Sequence, residues 1–139
     1  METKMKEVFE IENKIEALSI LAGKIEELAE KWELSMPLTM NLNLVLEEAV
    51  SNVIFYAFND HQKHLIQISL ALENKILTVE IVDDGIPFDP LSQKLPDITL
   101  PVEERPIGGL GILLILKIMD QVSYSRQNNQ NRLTLVKNI

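Results

Sequence analysis

Two runs of alternating residues, 65–73 and 76–82, separated only by Asn74-Lys75, restrict the fold more than any other feature of the chain. Alternation at period two marks strands with one buried face, and a two-residue link leaves antiparallel pairing as the outcome, with Asn supplying the positive φ that a tight hairpin turn needs. In the second run Leu77, Val79 and Ile81 share one face, while Ile76, Thr78, Glu80 and Val82 share the other. Asp83 therefore continues the apolar parity. Burying an ionised carboxylate without compensation costs several kcal/mol, roughly, so Asp83 must stay near water or accept hydrogen bonds from a ligand's neutral donor. The exocyclic amine of a purine is a donor of that kind. Gly85, two residues on, allows a sharp turn and the close approach of a flat ring.

The rest of the chain supplies one core around this hairpin. Its 139 residues and 46% hydrophobic content suit a single domain spanning 1–139. No apolar run is long enough for a bilayer, and the opening residues lack the apolar stretch of a secretion signal, so a cytoplasmic protein is expected. With no cysteine there are no disulfides, thiolate metal sites or cysteine nucleophiles. A net charge of −8 without clustered Lys and Arg argues against nucleic acid as partner, so any phosphate must be held locally.

The spacing predicts a strand over 5–11, then an amphipathic helix presenting Ile15, Leu18, Ala22, Ile25, Leu28 and Trp32 to the core. A second helix starts near Pro37 with Ser35 as its cap and runs to about Phe58. After the hairpin, 88–107 dissolves into prolines and charges, a length typical of a lid. A helix that is apolar on nearly all sides follows from Ile112 to about Asp120, and it requires cover on more than one face. Together with the first helix it is expected to leave a patch for a homodimer or a regulator. Strands over 122–126 and 132–137 close the chain across the polar turn 127–131.

Two further patterns carry chemistry. On the second helix Glu48 and Asn52 lie four residues apart on the margin of the apolar arc centred on Leu42, Val45, Leu46, Ala49 and Val53, and Glu47 points well outside it. A carboxylate and an amide oxygen at this spacing are hard ligands suited to magnesium, or to orienting a hydroxyl. The second pattern is Gly108-Gly109-Leu110-Gly111, whose backbone N–H groups just before a helix make a concave anion site. His61 and His64 follow the second helix in a polar stretch and are expected in water rather than on metal, and Arg105 in the loop is expected to be solvated.

Acid-x-x-x-Asn on a helix, Asp-x-Gly after a strand and Gly-x-Gly before a helix, in that order, resemble the nucleotide site of the Bergerat-type (GHKL) ATPases, which include gyrase and the histidine kinases. The short length, the opening strand, Glu48-Ala49-Val50-Ser51-Asn52, Asp83-Asp84-Gly85-Ile86-Pro87-Phe88-Asp89-Pro90 and Gly108-Gly109-Leu110-Gly111-Ile112 are most similar to the bacterial anti-sigma-factor serine/threonine kinases. The resemblance spans nearly the whole chain. It implies an α+β fold, a two-layer α/β sandwich whose mixed, mostly antiparallel sheet of about five strands is covered on one face by three helices. It implies that Glu48 activates the attacking hydroxyl or water, that Asn52 holds magnesium, and that Asp83 accepts from the adenine amine. Gly85 then lets the base approach beside Pro87, and Gly109 and Gly111 frame the phosphates with help from Gly108. Two positions depart from the family's pattern. Pro87 stands where many relatives have a second glycine and stiffens the turn, and Asn131-Arg132 replaces a Gly-Thr on the final hairpin, removing the polar contact of the threonine.

The resemblance implies ATP and Mg2+ as cofactors and an anti-sigma-factor antagonist protein as substrate, with a sigma factor or another regulator as a second partner and no membrane. Two other functions compete with this one. The chain is then either a non-catalytic ATP-responsive binding module, which has no need of a carboxylate at the magnesium site, or a nucleotide-free interaction domain in which Asp83 is merely hydrated at a strand end.

Overall fold

A computed structural model describes residues 4–92 and 110–139. Five strands, β1 (Met5–Glu12), β2 (Leu65–Glu73), β3 (Ile76–Asp83), β4 (Gln121–Gln127) and β5 (Gln130–Asn138), form one sheet in the order β1-β2-β3-β5-β4. The expected, mostly antiparallel sheet is present, and all four of its pairings are antiparallel. Three helices, α1 (Ala17–Lys31), α2 (Met36–Tyr56) and α3 (Leu110–Ile118), supply the second layer, with a short 3-10 turn at Pro90–Ser92.

The strands follow the alternation of the sequence. Ile66, Ile68 and Leu70 on β2, Leu77, Val79 and Ile81 on β3, and Leu133 and Leu135 on β5 are buried together under the helices. Asn74 and Lys75 have φ of 55° and 61°, as the β2–β3 turn demands. The β4–β5 turn is tighter than the sequence suggested. Only Asn128 and Asn129, with φ of 53° and 61°, make it, and Gln127 pairs with Gln130. Two adjacent asparagines that tolerate positive φ allow the shorter turn, so the strands extend further and Asn131 becomes a strand residue.

The first helix buries a face rotated from the expected one. Ala17, Leu21 and Ala29 join Ile25, Leu28 and Trp32 in the core, whereas Leu18 and Ala22 are half-buried and Ile15, which precedes the helix, is 46% exposed. Small alanines at Ala17 and Ala29 let the helix lie close to its neighbours, which turns the larger Leu18 toward the margin.

Helix α2 runs as the sequence implies and ends at Tyr56, two residues early. Ser35 is its N-cap, accepting from the Leu38 N–H at 3.3 Å, and Pro37 occupies the first turn. Leu42, Val45, Leu46, Ala49, Val50 and Val53 form its buried stripe. At its other end Ala57 caps the helix, and the Ala57 carbonyl accepts from the Ile86 N–H at 2.8 Å. That bond fastens α2 to the turn that follows β3. In α3, Ile112 and Ile115 are fully buried while Leu113, Leu114 and Ile118 are half-buried, so the helix is covered on more than one side as expected, and Leu116 remains exposed.

Loss of the Ser35 cap exposes one unpaired N–H in the first turn of α2. Ser35→Ala should lower the unfolding free energy by about 1 kcal/mol, measured from the urea midpoint at unchanged slope. An unshifted midpoint would mean that Pro37 alone sets the start of the helix.

Candidate functional site

Asp83 lies where the parity of β3 puts it, on the helix-facing side of the sheet, at 3% exposure. Its Oδ1 accepts from the Gly85 N–H and from Asn131 Nδ2, both at 2.9 Å. Burial pushes the Asp83 carboxyl above the ordinary carboxylate value, and the bonds from Asn131 and Gly85 oppose the rise without cancelling it. The sequence reading missed Asn131. The signal was nonetheless present, since Leu135 and Leu133 alternate on the buried face of β5 and one further step reaches Asn131, which is opposite Asp83 in the register. The final hairpin therefore does supply a polar contact, made by the Asn131 amide rather than by a threonine.

A pocket opens above these two residues. Asn52, Ala49 and Val53 of α2 form one side, Ile112 of α3 another, Tyr124 and Leu133 the sheet side, and Phe88 and Pro90 the remaining wall. Its volume is only about 10 Å³, the space of about one water. Phe88 and Pro90 belong to the wall that is built into neither α-helix nor sheet. Phe88 stacks on Tyr56 with ring centroids 5.5 Å apart. Apolar walls with a single carboxylate acceptor at the base suit a flat heterocycle that presents an amine.

Glu48 and Asn52 project from the same flank of α2. Asn52 lines the pocket with Asp83, and the Glu48 carboxylate rests against Gly111 in the first turn of α3. A Cβ at Gly111 would collide with Glu48 Oε2 and come within 3.3 Å of its Cδ, so any side chain here would push the Glu48 carboxylate out of its present position. Gly111 lies inside the helix rather than ahead of it. The Glu48 carboxylate is thereby brought beside the first turn of α3, whose backbone N–H groups favour a negative charge. Glu47 points elsewhere, into the groove between α1 and α2 with Leu18 and Asn43. Among the described residues no group of three or more His, Cys, Asp or Glu is arranged to hold a metal ion, so Glu48 and Asn52 fit a magnesium ion only if a ligand's own oxygens complete its shell.

Gly85 has a structural reason for its identity beyond ring approach. A Cβ there would collide with the Ala57 carbonyl oxygen and lie 2.8 Å from its carbon. Arg126 Nη1 donates to the Gly85 carbonyl at 2.7 Å, fixing the same turn from β4. Pro87 is exposed beside it. Gly108, Gly109, Arg105 and most of the expected lid, 93–107, lie outside the described residues.

His64 is not in water as expected. Its ring bridges two carboxylates, Nε2 to Asp60 Oδ2 at 2.7 Å and Nδ1 to Asp84 Oδ1 at 2.9 Å, stacks on Phe58 at 4.6 Å between centroids, and is 19% exposed. No sequence pattern announces this contact, because Asp84 reaches His64 only once α2, β2 and β3 are assembled. Asp60 foremost, then Asp84, raise the His64 pKa above its ordinary 6.5 against the opposing effect of burial.

Two stability measurements follow from these shifts. A histidine whose folded pKa is raised stabilises fully below its unfolded value and loses that contribution as pH climbs through the folded one. Wild-type stability should therefore decline from about pH 6 to about pH 9 more steeply than that of His64→Gln, read from thermal midpoints across the series. An identical slope in the variant would remove His64 as the cause. A carboxyl whose folded pKa is raised opposes folding once pH exceeds its unfolded value. Asp83→Asn keeps an acceptor for Asn131 and Gly85, so it should raise the melting midpoint at neutral pH, and a lowered midpoint would refute the desolvation account.

The sequence has counterparts among known proteins. A profile of the histidine kinase-like ATPase domain matches residues 11–137. The chain is 29% identical over 108 residues to the serine/threonine-protein kinase BtrW of Bordetella bronchiseptica, covering 78% of this chain and 75% of that protein. It is 30% identical over 93 residues to the serine-protein kinase RsbW of Oceanobacillus iheyensis and 30% identical over 86 residues to the RsbW of Bacillus thuringiensis. The matched region spans 58% and 53% of those two proteins, less than two thirds of either. Among the described residues no helix is long and apolar enough to cross a membrane. With the match running over nearly every element of the fold, the chain belongs to the histidine kinase-like ATPase domain family.

Proposed function

We propose that this protein is a magnesium- and ATP-dependent serine/threonine protein kinase that acts as an anti-sigma regulatory factor, phosphorylating an anti-sigma-factor antagonist protein and holding a sigma factor or another regulator as its second partner. ATP follows from membership of an ATPase domain family. Kinase activity is supported by the names of the relatives, each a serine or serine/threonine protein kinase. The observation that carries the reading is the division of labour along one flank of α2, with Asn52 in the pocket that holds Asp83 and Glu48 against the first turn of α3.

Each residue then has a task that its surroundings allow. Asp83, buried and acceptor-only when ionised, takes the hydrogen bond of the adenine amine. Gly85 keeps the turn below the base thin, and Pro87 stiffens it. Gly111, with Gly108 and Gly109, leaves the start of α3 open to phosphate oxygens. Phosphates drawn to that helix end meet the Glu48 carboxylate, and two anions in one place need a cation between them. Asn52 contributes a neutral oxygen ligand to magnesium there, which supplies charge neutralisation on the phosphates. Glu48 accepts the proton of the attacking hydroxyl. Phosphoryl transfer asks mainly for positioning and charge neutralisation, so few protein groups suffice.

The closed pocket favours a second reading, a binding module whose shape responds to ATP without transfer. One experiment separates them: incubation with labelled Mg-ATP and candidate antagonist proteins, comparing wild type with Glu48→Gln. The kinase reading expects one labelled serine or threonine and a loss of about a hundredfold or more in the variant, with nucleotide affinity changed by less than about threefold. Partner capture that responds to ATP without any labelling would leave the module reading in place. In the same series Asn52→Ala should remove most of the magnesium dependence of ATP affinity, and an undiminished dependence would move the metal elsewhere.

A further inference from the structure

Asn131 is, with Asp83, one of two buried polar residues among those described, and its exposure is likewise 3%. Its amide is engaged on every side. Nδ2 donates to Asp83 Oδ1 at 2.9 Å and to the Ile86 carbonyl at 2.8 Å, while Oδ1 accepts from the Phe88 N–H at 3.2 Å and from the Tyr124 hydroxyl. An amide offers two N–H donors and one oxygen with two lone pairs, so this is its full complement. Turning the amide over would set its oxygen against the Asp83 carboxylate and the Ile86 carbonyl, and its NH2 against the Phe88 N–H. The four partners together fix one orientation.

Both bonds to Asp83 fall on Oδ1, and among the described residues Oδ2 accepts none. Rotation of the carboxylate would sacrifice both, so Oδ2 is left as the oxygen available to a ligand. A 6-amino purine brings an N–H to such an oxygen, whereas a 6-oxo purine brings a second acceptor. Asn131 cannot answer the oxo group, because both of its N–H donors are already committed. Its bond also works against protonation of Asp83, and a protonated Asp83 would be able to donate to an oxo group.

We propose that Asn131 is the positioning residue that sets purine selectivity, pinning Asp83 through Oδ1 so that the pocket separates 6-amino from 6-oxo purine nucleoside triphosphates. The inference rests on the nucleotide reading above and assigns a role that the family resemblance gave to no residue at this position. Tyr124 and the backbone of Ile86 and Phe88 hold Asn131 in turn.

The test is calorimetric titration of the full chain with the magnesium complexes of ATP and inosine triphosphate, in the wild type, Asn131→Ala and Tyr124→Phe. The wild type should prefer ATP. Asn131→Ala should cut that preference by about tenfold or more, while its affinity for inosine triphosphate stays within about threefold. Tyr124→Phe, which removes one partner of the amide and keeps the ring, should cut it by about two- to threefold, and it decides the matter if circular dichroism shows Asn131→Ala unfolded. Equal losses for both nucleotides, or an unchanged ratio in the folded variants, would reduce Asn131 to a structural residue. A wild type that binds both nucleotides equally overturns this inference alone, whereas a wild type that binds neither at millimolar concentration overturns the nucleotide reading and this inference with it.

Discussion

A single buried carboxylate organises one end of this molecule. Asp83 ends the central strand on the face that everywhere else packs Leu77, Val79 and Ile81 against the helices, and its burial raises its pKa. Such a group is tolerated only where donors converge, and the donors come from two segments, the turn at Gly85 and strand β5 at Asn131. Because Asn131 also holds Ile86 and Phe88, the acid, the turn after β3 and the wall of the pocket form one hydrogen-bonded unit. A disturbance of any of its members reaches the others.

Helix α2 joins that unit to the rest of the fold. Its stripe from Leu42 to Val53 lies in the core, its margin carries Glu48 and Asn52, and its C-terminal cap at Ala57 receives both the N–H of Ile86 and the bare Cα of Gly85. The same rigid rod thus sets the distance of Glu48 and Asn52 from the base of the pocket. Elements packed on both sides make that spacing a property of the core rather than of a loop. The glycines at 85 and 111 have parallel functions, since each removes a Cβ where a second element must come close, the Ala57 carbonyl in one case and the Glu48 carboxylate in the other.

What could be read in advance depended on how local the cause was. The β2–β3 hairpin, the capped start of α2, the core stripe of α2 and the place of Asp83 on the apolar face all follow from periods of two or 3.6 and from residues a few positions apart, and the structure agrees with each. The donors that let Asp83 be buried, however, come from Gly85 and Asn131 of the protein rather than from water or a ligand. The burial face of α1 was displaced because Leu18 and Ala22 satisfy a helical period nearly as well as Ala17 and Leu21, and only packing against the rest of the core decides between them. Asn131 went unseen through an overlong turn, an error of boundary that put a strand residue into a loop. The bridge from Asp60 through His64 to Asp84 was out of reach, because Asp60 and His64 lie in an irregular stretch without periodic signature and Asp84 is 20 residues beyond His64. Tertiary assembly creates that contact, and only tertiary information reveals it.

The local conflict between charge and burial has a direct bearing on binding. At neutral pH the fold carries an acid whose ionised form burial disfavours, and the pocket beside it has closed to about the volume of one water. On the proposed nucleotide reading, a base bound there would need the wall that carries Phe88 and Pro90 to move aside, and its observed affinity would then be reduced by the fraction of molecules that are open. Against that cost stands an extra donor for a carboxylate already held on one oxygen. The more firmly Asn131 pins Oδ1, the less Asp83 can accommodate any ligand other than one bearing an N–H, and selectivity is obtained from the same bonds that make burial of the charge tolerable.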